Sequence, residues 1–371
     1  MKKLGIYIHV PFCLKRCNYC GFYSNAMTDA TGAREAQTHY VQWLIGKIRE
    51  KGEEFRKKYL VDTIFIGGGT PTILQPEAIE AIMGAIRENF AVESDAEITI
   101  ESNPKTLTPQ KLKRYRATGI NRLSIGAQSM DDDILKYLGR AHDRADFLET
   151  YEMARKCGFD NINVDLMFAI PGQTKAQWQD TVEQVIMQDP EHISFYSLQI
   201  EEDTPFYNDY IDGRLVPLDD GLDRDMYHWA LGRLKSAGYT HYEISNAAKP
   251  GYECRHNLKY WSFDEYLGIG DSASSFMNGI RTTEKPREEY HENDFDDNAG
   301  EFVFTGLRKR QGISKREFAE RFGREFWDVY EGRRARVQEF FDSGALLEEG
   351  DRLWLSEDGI DISNQIMAMF V

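Results

Sequence analysis

The feature that most constrains this chain is a rhythm. Six short apolar or β-branched runs alternate with six longer amphipathic stretches. The runs are LGIYIHV (4–10), VDTIFIGGG (61–69), EITIESN (97–103), RLSIGAQS (122–129), NINVDLMFAI (161–170) and HISFYSLQI (192–200). The helical stretches fall at 35–58, 76–90, 108–118, 131–139, 143–157 and 174–188. Thr108-Pro109 and Thr174 supply N-cap chemistry at two of their starts. Six strand–helix units in succession predict a parallel sheet with helices outside it. They suit either an open doubly wound sheet or a partial barrel of the TIM type, and periodicity does not choose between the two.

The placement of the unusual residues favours the barrel. A cysteine cluster follows the first run, and GGGTP (67–71) follows the second. Glu101 closes the third, Gln128 closes the fourth, and Asp165 stands in the fifth. In parallel α/β folds, ligands gather at the carboxyl edge of the strands, so one mouth would collect all of these. Glycines at 67–69 let the backbone approach a ligand and present N–H groups to it, although the same run also reads as a tight turn. Glu101 reads as an acceptor for hydroxyl or ammonium groups, or as an exposed strand-end charge. Asp165 lies in a buried-looking strand, where a charge needs a partner.

Three of the five cysteines fall within HVPFCLKRCNYCGFYS, at Cys13, Cys17 and Cys20. Their thiolates would hold three corners of one metal centre, and Lys15 and Arg16 favour the thiolate form. An iron–sulfur cube normally takes four cysteines, so three leave one iron open to an exogenous ligand and hence to chemistry. A zinc site completed by His9 or Cys254 and plain reduced surface thiols are the alternatives. An odd cysteine count at this spacing does not fit a secreted disulfide framework, which points to a reducing, cytoplasmic setting. Cys157 reads as a small packed residue. The net charge of −16 argues against wrapping nucleic acid. No apolar run approaches the roughly 20 residues that span a bilayer.

After residue 200 the rhythm breaks. Residues 201–220 read as loop and turn, 221–237 as a helix, and YTHYEISN (239–246) as a strand leading into KPGYECRHNLKYW. Residues 300–371 read as helices followed by a hairpin, ALLEEGDRLWLS, a winged-helix outline. With 11 Lys/Arg against 14 Asp/Glu, this piece suits a structural or docking role better than DNA reading. The expected division is a barrel over 1–200, a connecting region over 201–299 and a C-terminal domain over 300–371.

The cysteine spacing, with Tyr19 before the last cysteine, resembles that of the radical S-adenosylmethionine (radical SAM) superfamily. The resemblance implies a [4Fe–4S] cluster on Cys13, Cys17 and Cys20, with SAM chelating the open iron. It also implies a partial (β/α)6 barrel with a smaller mixed or helical C-terminal domain. YIHVPFC, GGGTP, IESNP, GAQS, GRAH, VDLMFAIPGQT and SFYSLQIEEDTP narrow the likeness to the coproporphyrinogen-oxidase-like subgroup, over nearly the whole chain. By that resemblance Tyr7, Gly68, Gly69, Thr70, Glu101, Gln128, Arg140 and Asp165 are expected to contact SAM.

Two branches of the subgroup compete. The oxygen-independent coproporphyrinogen III oxidase decarboxylates two propionates to vinyls. Its pattern has a further cysteine where this chain has Phe22, and a long N-terminal extension where only twelve residues precede Cys13. The heme-chaperone branch binds heme and hands it to acceptor proteins, and its signature resembles CRHNLKYW (254–261). This implies His256 as an axial iron ligand with Cys254 as the alternative. Tyr260 and Trp261 would then lie on the porphyrin face, and Arg255 would pair with a propionate. The plain alternative is a loop whose aromatics bury and whose histidine bonds locally. The chaperone is the first expectation, the oxidase the second, and a module with a purely structural cluster the third. The expected partners are heme and heme-accepting proteins, with respiratory proteins one candidate class. Membrane association would run through such partners, and a homodimer is left open.

Overall fold

The computed structural model describes residues 1–27 and 30–371. Six strands lie side by side in chain order and all run parallel: β1 (Lys2–Val10), β2 (Tyr59–Gly68), β3 (Ala91–Ser102), β4 (Arg122–Gln128), β5 (Ile162–Phe168) and β6 (His192–Ser197). Helices fill the five crossovers, and the two expected at 131–139 and 143–157 share the connection between β4 and β5 as Asp132–Tyr137 and Arg144–Lys156. The capping chemistry does what the residue types predict. Thr108 Oγ1 accepts from the Lys111 N–H and Thr174 Oγ1 from the Gln177 N–H, each at 3.2 Å.

The period of two along these strands separates two environments. Outward positions such as Ile6, Ile8, Ile64, Ile66, Ile100 and Ile125 are completely buried under the helices. Each such side chain contributes about 1.5–3 kcal/mol of burial. The alternate, inward positions are largely polar: Thr63, Glu97, Arg122, Asn163 and His192 low in the barrel, then Glu101 and Asp165 nearer its mouth. The interior is thus a lined chamber in place of an aliphatic core.

The sheet does not close. On one side β6 is followed by an antiparallel hairpin, β7 (Thr240–Glu243) and β8 (Asn246–Ala248), so the single strand expected at 239–246 is two short ones. On the other side β9 (Tyr266–Ile269) pairs in parallel with β1, with Gly5 opposite Tyr266 and Ile8 opposite Ile269. Three further strands, β10 (Ser274–Met277), β11 (Ile280–Thr283) and β12 (Glu289–Glu292), extend that edge to give twelve in all. This is a partial barrel set in an open sheet. Strand β5 stops at Phe168 because Ala169 turns to a φ of +56°. Within 201–220 a helix forms at Pro205–Ile211, where Thr204 Oγ1 caps the Tyr207 N–H at 3.1 Å.

The C-terminal residues carry a three-stranded antiparallel sheet, β13 (Ile313–Ser314), β14 (Leu346–Glu349) and β15 (Arg352–Leu355), beside helices Lys315–Phe322 and Arg334–Asp342. Phe302, Phe318, Phe326 and Phe370 belong to the same continuous hydrophobic core as the barrel helices. Among the described residues no helix is long and apolar enough to cross a membrane.

Candidate functional site

The loop after β1 carries the three cysteines, and the protein holds it at both ends and in the middle. Phe12–Cys13 pairs with Asn25–Ala26 as a short parallel ladder. Asn18 donates from its backbone to Leu138 O (3.0 Å) and from Nδ2 to Tyr137 O (2.8 Å), and its own carbonyl accepts from the Phe206 N–H at 3.0 Å. All five cysteines are free. Burial raises the Cys13 thiol and pushes Cys20 up to about 11. Without a metal cation Cys20 is therefore a neutral thiol, and a cation is what would draw out the thiolate.

Residues from three other loops converge on these sulfurs. Cys13 Sγ lies 3.7 Å from Thr70 Oγ1. Arg140 donates from Nη1 to Cys17 Sγ at 3.5 Å and from Nη2 to Gly126 O at 2.8 Å and to Asn103 Oδ1. Asn103 Nδ2 donates to Thr70 Oγ1 at 2.7 Å, closing the ring. A Cβ on Gly126 would meet Gln128 Nε2 at 2.9 Å, which puts the Gln128 amide beside the same ring. Gln128 itself turns through a φ of +68°. The sequence reading passed over Asn103, although its place two residues beyond Glu101 in IESNP marks it.

The glycine strap behaves differently from expectation. The Gly68 N–H donates to Glu101 Oε2 (3.1 Å), the Gly69 N–H to Val10 O (2.9 Å) and the Thr70 N–H to Phe12 O (2.7 Å). These donors are spent inside the protein, so the strap offers a ligand a close approach in place of free N–H groups. Glycine is required here by contact: a Cβ at Gly69 would stand 2.6 Å from Phe12 O. At Gly68, φ is +112° and a Cβ would press on the His9 ring at 2.7 Å.

Beneath the strap, the Tyr7 hydroxyl donates to His9 Nδ1 at 3.0 Å and His9 Nε2–H to Tyr23 O at 3.0 Å, which fixes the tautomer. Glu101 and Asp165 form a buried acid pair. Burial, then the Asp165 charge, pushes the Glu101 carboxyl up to about 8. Burial raises Asp165 as well, but hydrogen bonds from Asn163 and Ser124 oppose that shift. The expected SAM residues and the cysteines thus share one mouth.

The CRHNLKYW string lies elsewhere. It forms helix Arg255–Trp261, seated across the lower end of the barrel. Glu97 Oε2 accepts the Arg255 N–H and Glu97 Oε1 the His256 N–H, both at 3.0 Å, and Cys254 Sγ lies 3.6 Å from Oε1. His256 is 1% exposed. Its Nδ1 is 2.8 Å from Thr63 Oγ1, its Nε2 is 2.8 Å from Tyr260 Oη, and Phe65 stacks on its ring at 5.3 Å. Burial pushes its pKa down to about 3. Arg255 Nη1 donates to Asp95 O (2.8 Å), and Arg308 lies 4.3 Å over the Trp261 ring. Thr63 and Glu97 each precede a mouth residue by four positions, a rise of about 13 Å. In this seat neither Cys254 nor His256 presents a free atom to a porphyrin.

Residues 7–185 match the Radical SAM superfamily, and residues 294–362 match the HemN C-terminal domain. The curated heme chaperone HemW of Bacillus subtilis (strain 168) is 35% identical over 381 aligned positions, covering 98% of this chain and 98% of that one. The chain belongs to the HemW family. Heme chaperone HemW of Escherichia coli (strain K12) is 33% identical, covering 99% of this chain and 98% of its own. A mitochondrial radical S-adenosyl methionine domain-containing protein 1 of Danio rerio is 35% identical over 72% of this chain and 59% of its own length. Among solved structures, coproporphyrinogen III oxidase (HemN) from Escherichia coli, a radical SAM enzyme, superposes with a TM-score of 0.86 over all of this chain and 90% of that one. Its 22% identity carries the fold alone.

Proposed function

We propose that this chain is a heme chaperone: it binds heme and passes it to acceptor proteins, with a [4Fe–4S] cluster on Cys13, Cys17 and Cys20 and SAM at the barrel mouth. The observation that carries this reading is likeness to curated HemW chaperones from end to end. The mouth is consistent with the cofactors. Cys13, Cys17 and Cys20 stand as free thiols on one loop after β1, where three thiolates can hold three corners of a polynuclear cluster.

When bound, the cluster and SAM supply one-electron chemistry. The chain's own residues do the rest. Arg140 holds a positive charge against Cys17, Thr70 lies against Cys13, and the Gly68–Gly69 strap leaves room for a ligand's close approach. Tyr7, Glu101, Gln128 and Asp165 supply hydroxyl, carboxyl and amide groups around the same mouth. Five unbridged cysteines favour a reducing, cytoplasmic setting. Respiratory proteins as acceptors, contact with membranes through them, and a homodimer complete the reading.

The seat of helix 255–261 bears on the choice of heme ligand. Iron ligation by His256 requires that helix to leave its seat, because both ring nitrogens face protein partners. The test is an anaerobic heme titration of cluster-reconstituted protein, followed by its Soret band. Saturable binding near one heme per chain is expected, with no vinyl product from coproporphyrinogen III under reduction with SAM. Absence of saturable binding, or sustained vinyl formation, overturns the reading. A changed Soret band in His256→Ala places the iron on a released helix, and an unchanged band places it elsewhere.

A further inference from the structure

A chain of buried and part-buried hydrogen bonds runs from the barrel floor to its mouth, and no role assigned so far uses it. The Cys254 N–H, at the start of helix 255–261, donates to Tyr242 Oη at 3.3 Å. Tyr242 Oη lies 2.7 Å from His192 Nε2. His192 Nδ1 lies 2.6 Å from Asn163 Oδ1. Asn163 Nδ2 donates to Asp165 Oδ1 at 2.8 Å and to Ser124 Oγ at 2.7 Å, and Ser124 Oγ donates to Asp165 Oδ2 at 3.0 Å.

The polarity of this chain is fixed by its ends. A carboxylate only accepts and an amide N–H only donates. Asn163 uses its NH2 toward Asp165 and Ser124, so its Oδ1 must accept, and His192 Nδ1 therefore carries the hydrogen. Nε2 is then bare and accepts from the Tyr242 hydroxyl, whose oxygen is left to receive the Cys254 N–H. Every donor points from the floor toward Asp165. Burial holds His192 well below its ordinary pKa, with Arg122 adding to the effect, which agrees with a neutral ring. His192 and Asn163 are 0% and 3% exposed, so water does not substitute for these partners.

We propose that Asn163, His192 and Tyr242 are positioning residues that aim the Asp165 carboxylate at the mouth and tie it to the seat of helix 255–261, so that a ligand held by Asp165 steadies that helix. The proposal rests on the reading of Asp165 as a SAM contact. Linkage makes the effect reciprocal. SAM that steadies the helix opposes its release, and release of the helix weakens SAM. His256 then reaches heme more readily when the mouth is empty.

The test is hydrogen exchange of cluster-reconstituted full chain, read in peptides spanning 254–261 with and without saturating SAM. In the native protein SAM is expected to slow exchange of those peptides by about fivefold or more, the usual range for coupled sites. Tyr242→Phe removes one hydroxyl and keeps the ring. It is expected to lose most of that slowing and to bind SAM more weakly, while helix 175–186 exchanges as before and iron content is unchanged. His192→Gln, which can donate to Asn163 and accept from Tyr242, is expected to keep the coupling, and His192→Leu to lose it. The histidine pair decides the matter should Tyr242→Phe fail to fold. Equal SAM protection of 254–261 in native, Tyr242→Phe and His192→Leu proteins, with SAM affinity still dependent on Asp165, overturns the inference and leaves the SAM site standing. No SAM binding by the native protein, or unchanged affinity in Asp165→Asn, overturns the reading of the mouth and the inference with it.

Discussion

Burial raises the carboxyls of both Glu101 and Asp165 at the mouth, and hydrogen bonds oppose that shift chiefly at Asp165. Asp165 receives a donor on each oxygen, whereas among the described residues Glu101 has only the Gly68 N–H. Its pKa near 8 leaves Glu101 largely protonated at pH 7. SAM brings a sulfonium and an ammonium, which favour the ionised form, so SAM binding is expected to release a proton. Affinity should then rise with pH up to about 8 and level off above it, and Glu101→Gln should flatten the profile. Calorimetry in two buffers of different ionisation enthalpy reads the proton directly, and zero proton release would count against the pair. The same shift bears on stability. The folded state holds a proton that the unfolded carboxyl gives up near 4.5, so this group's contribution is full below about 4.5 and is lost as pH rises through about 8. A second residue-scale prediction concerns Gly69. Its missing side chain faces a backbone carbonyl that cannot swing aside, so Gly69→Ala should cost about 1–3 kcal/mol of strain and loosen the cysteine loop. Thermal melting and iron content after reconstitution measure both effects.

At the scale of an element, the first turn of helix 255–261 is anchored by the Glu97 carboxylate, while Lys259 pairs with Asp62 at 2.8 Å further along. Glu97 satisfies two amides at the helix start, and removing it leaves buried donors at about 1–3 kcal/mol each, with Arg122 stranded nearby. Glu97→Ala is therefore expected to destabilise the protein by about 3 kcal/mol or more. Faster exchange at 254–261 than in the remaining helices would show that the loss is local to the plug, and an unchanged melting temperature would contradict the assigned role. The strands, the helices and the cysteine and glycine loops at their ends could be read from the chain because each carries a local signal: aliphatic alternation, Thr caps, a glycine strap, a cysteine spacing. The seat of His256 could not. Glu97, Thr63 and Phe65 lie far from it in sequence, and hydrogen bonds at that separation leave no periodic trace. What was visible, and went unread, was the other half of the alternation. EITIE, RLSI, NVD and HISFY each place polar residues at every second position, the mark of a polar chamber inside an aliphatic shell. The strap misled for a related reason: glycines announce close approach but do not say which partner consumes their N–H groups.

For the molecule as a whole, the continuous core is the controlling fact. Aromatic residues from 302 to 370 share it with barrel-helix residues from Val41 onward. Unfolding is accordingly expected as one cooperative calorimetric transition, with calorimetric and van't Hoff enthalpies in agreement. Two resolved transitions would mean that the C-terminal sheet is an independent body. Strand order has a further consequence, for biosynthesis. The strand leading into the cysteine loop is made long before one of its two neighbours in the sheet, β9, which ends at Ile269. At about 5–20 residues per second, that edge stays bare for roughly ten to fifty seconds. A nascent chain that received iron in that interval would hold it on a half-flanked strand, beside a mouth whose other walls were still being made. The cysteine loop gains the last of its flanking strands only when β9 has been made.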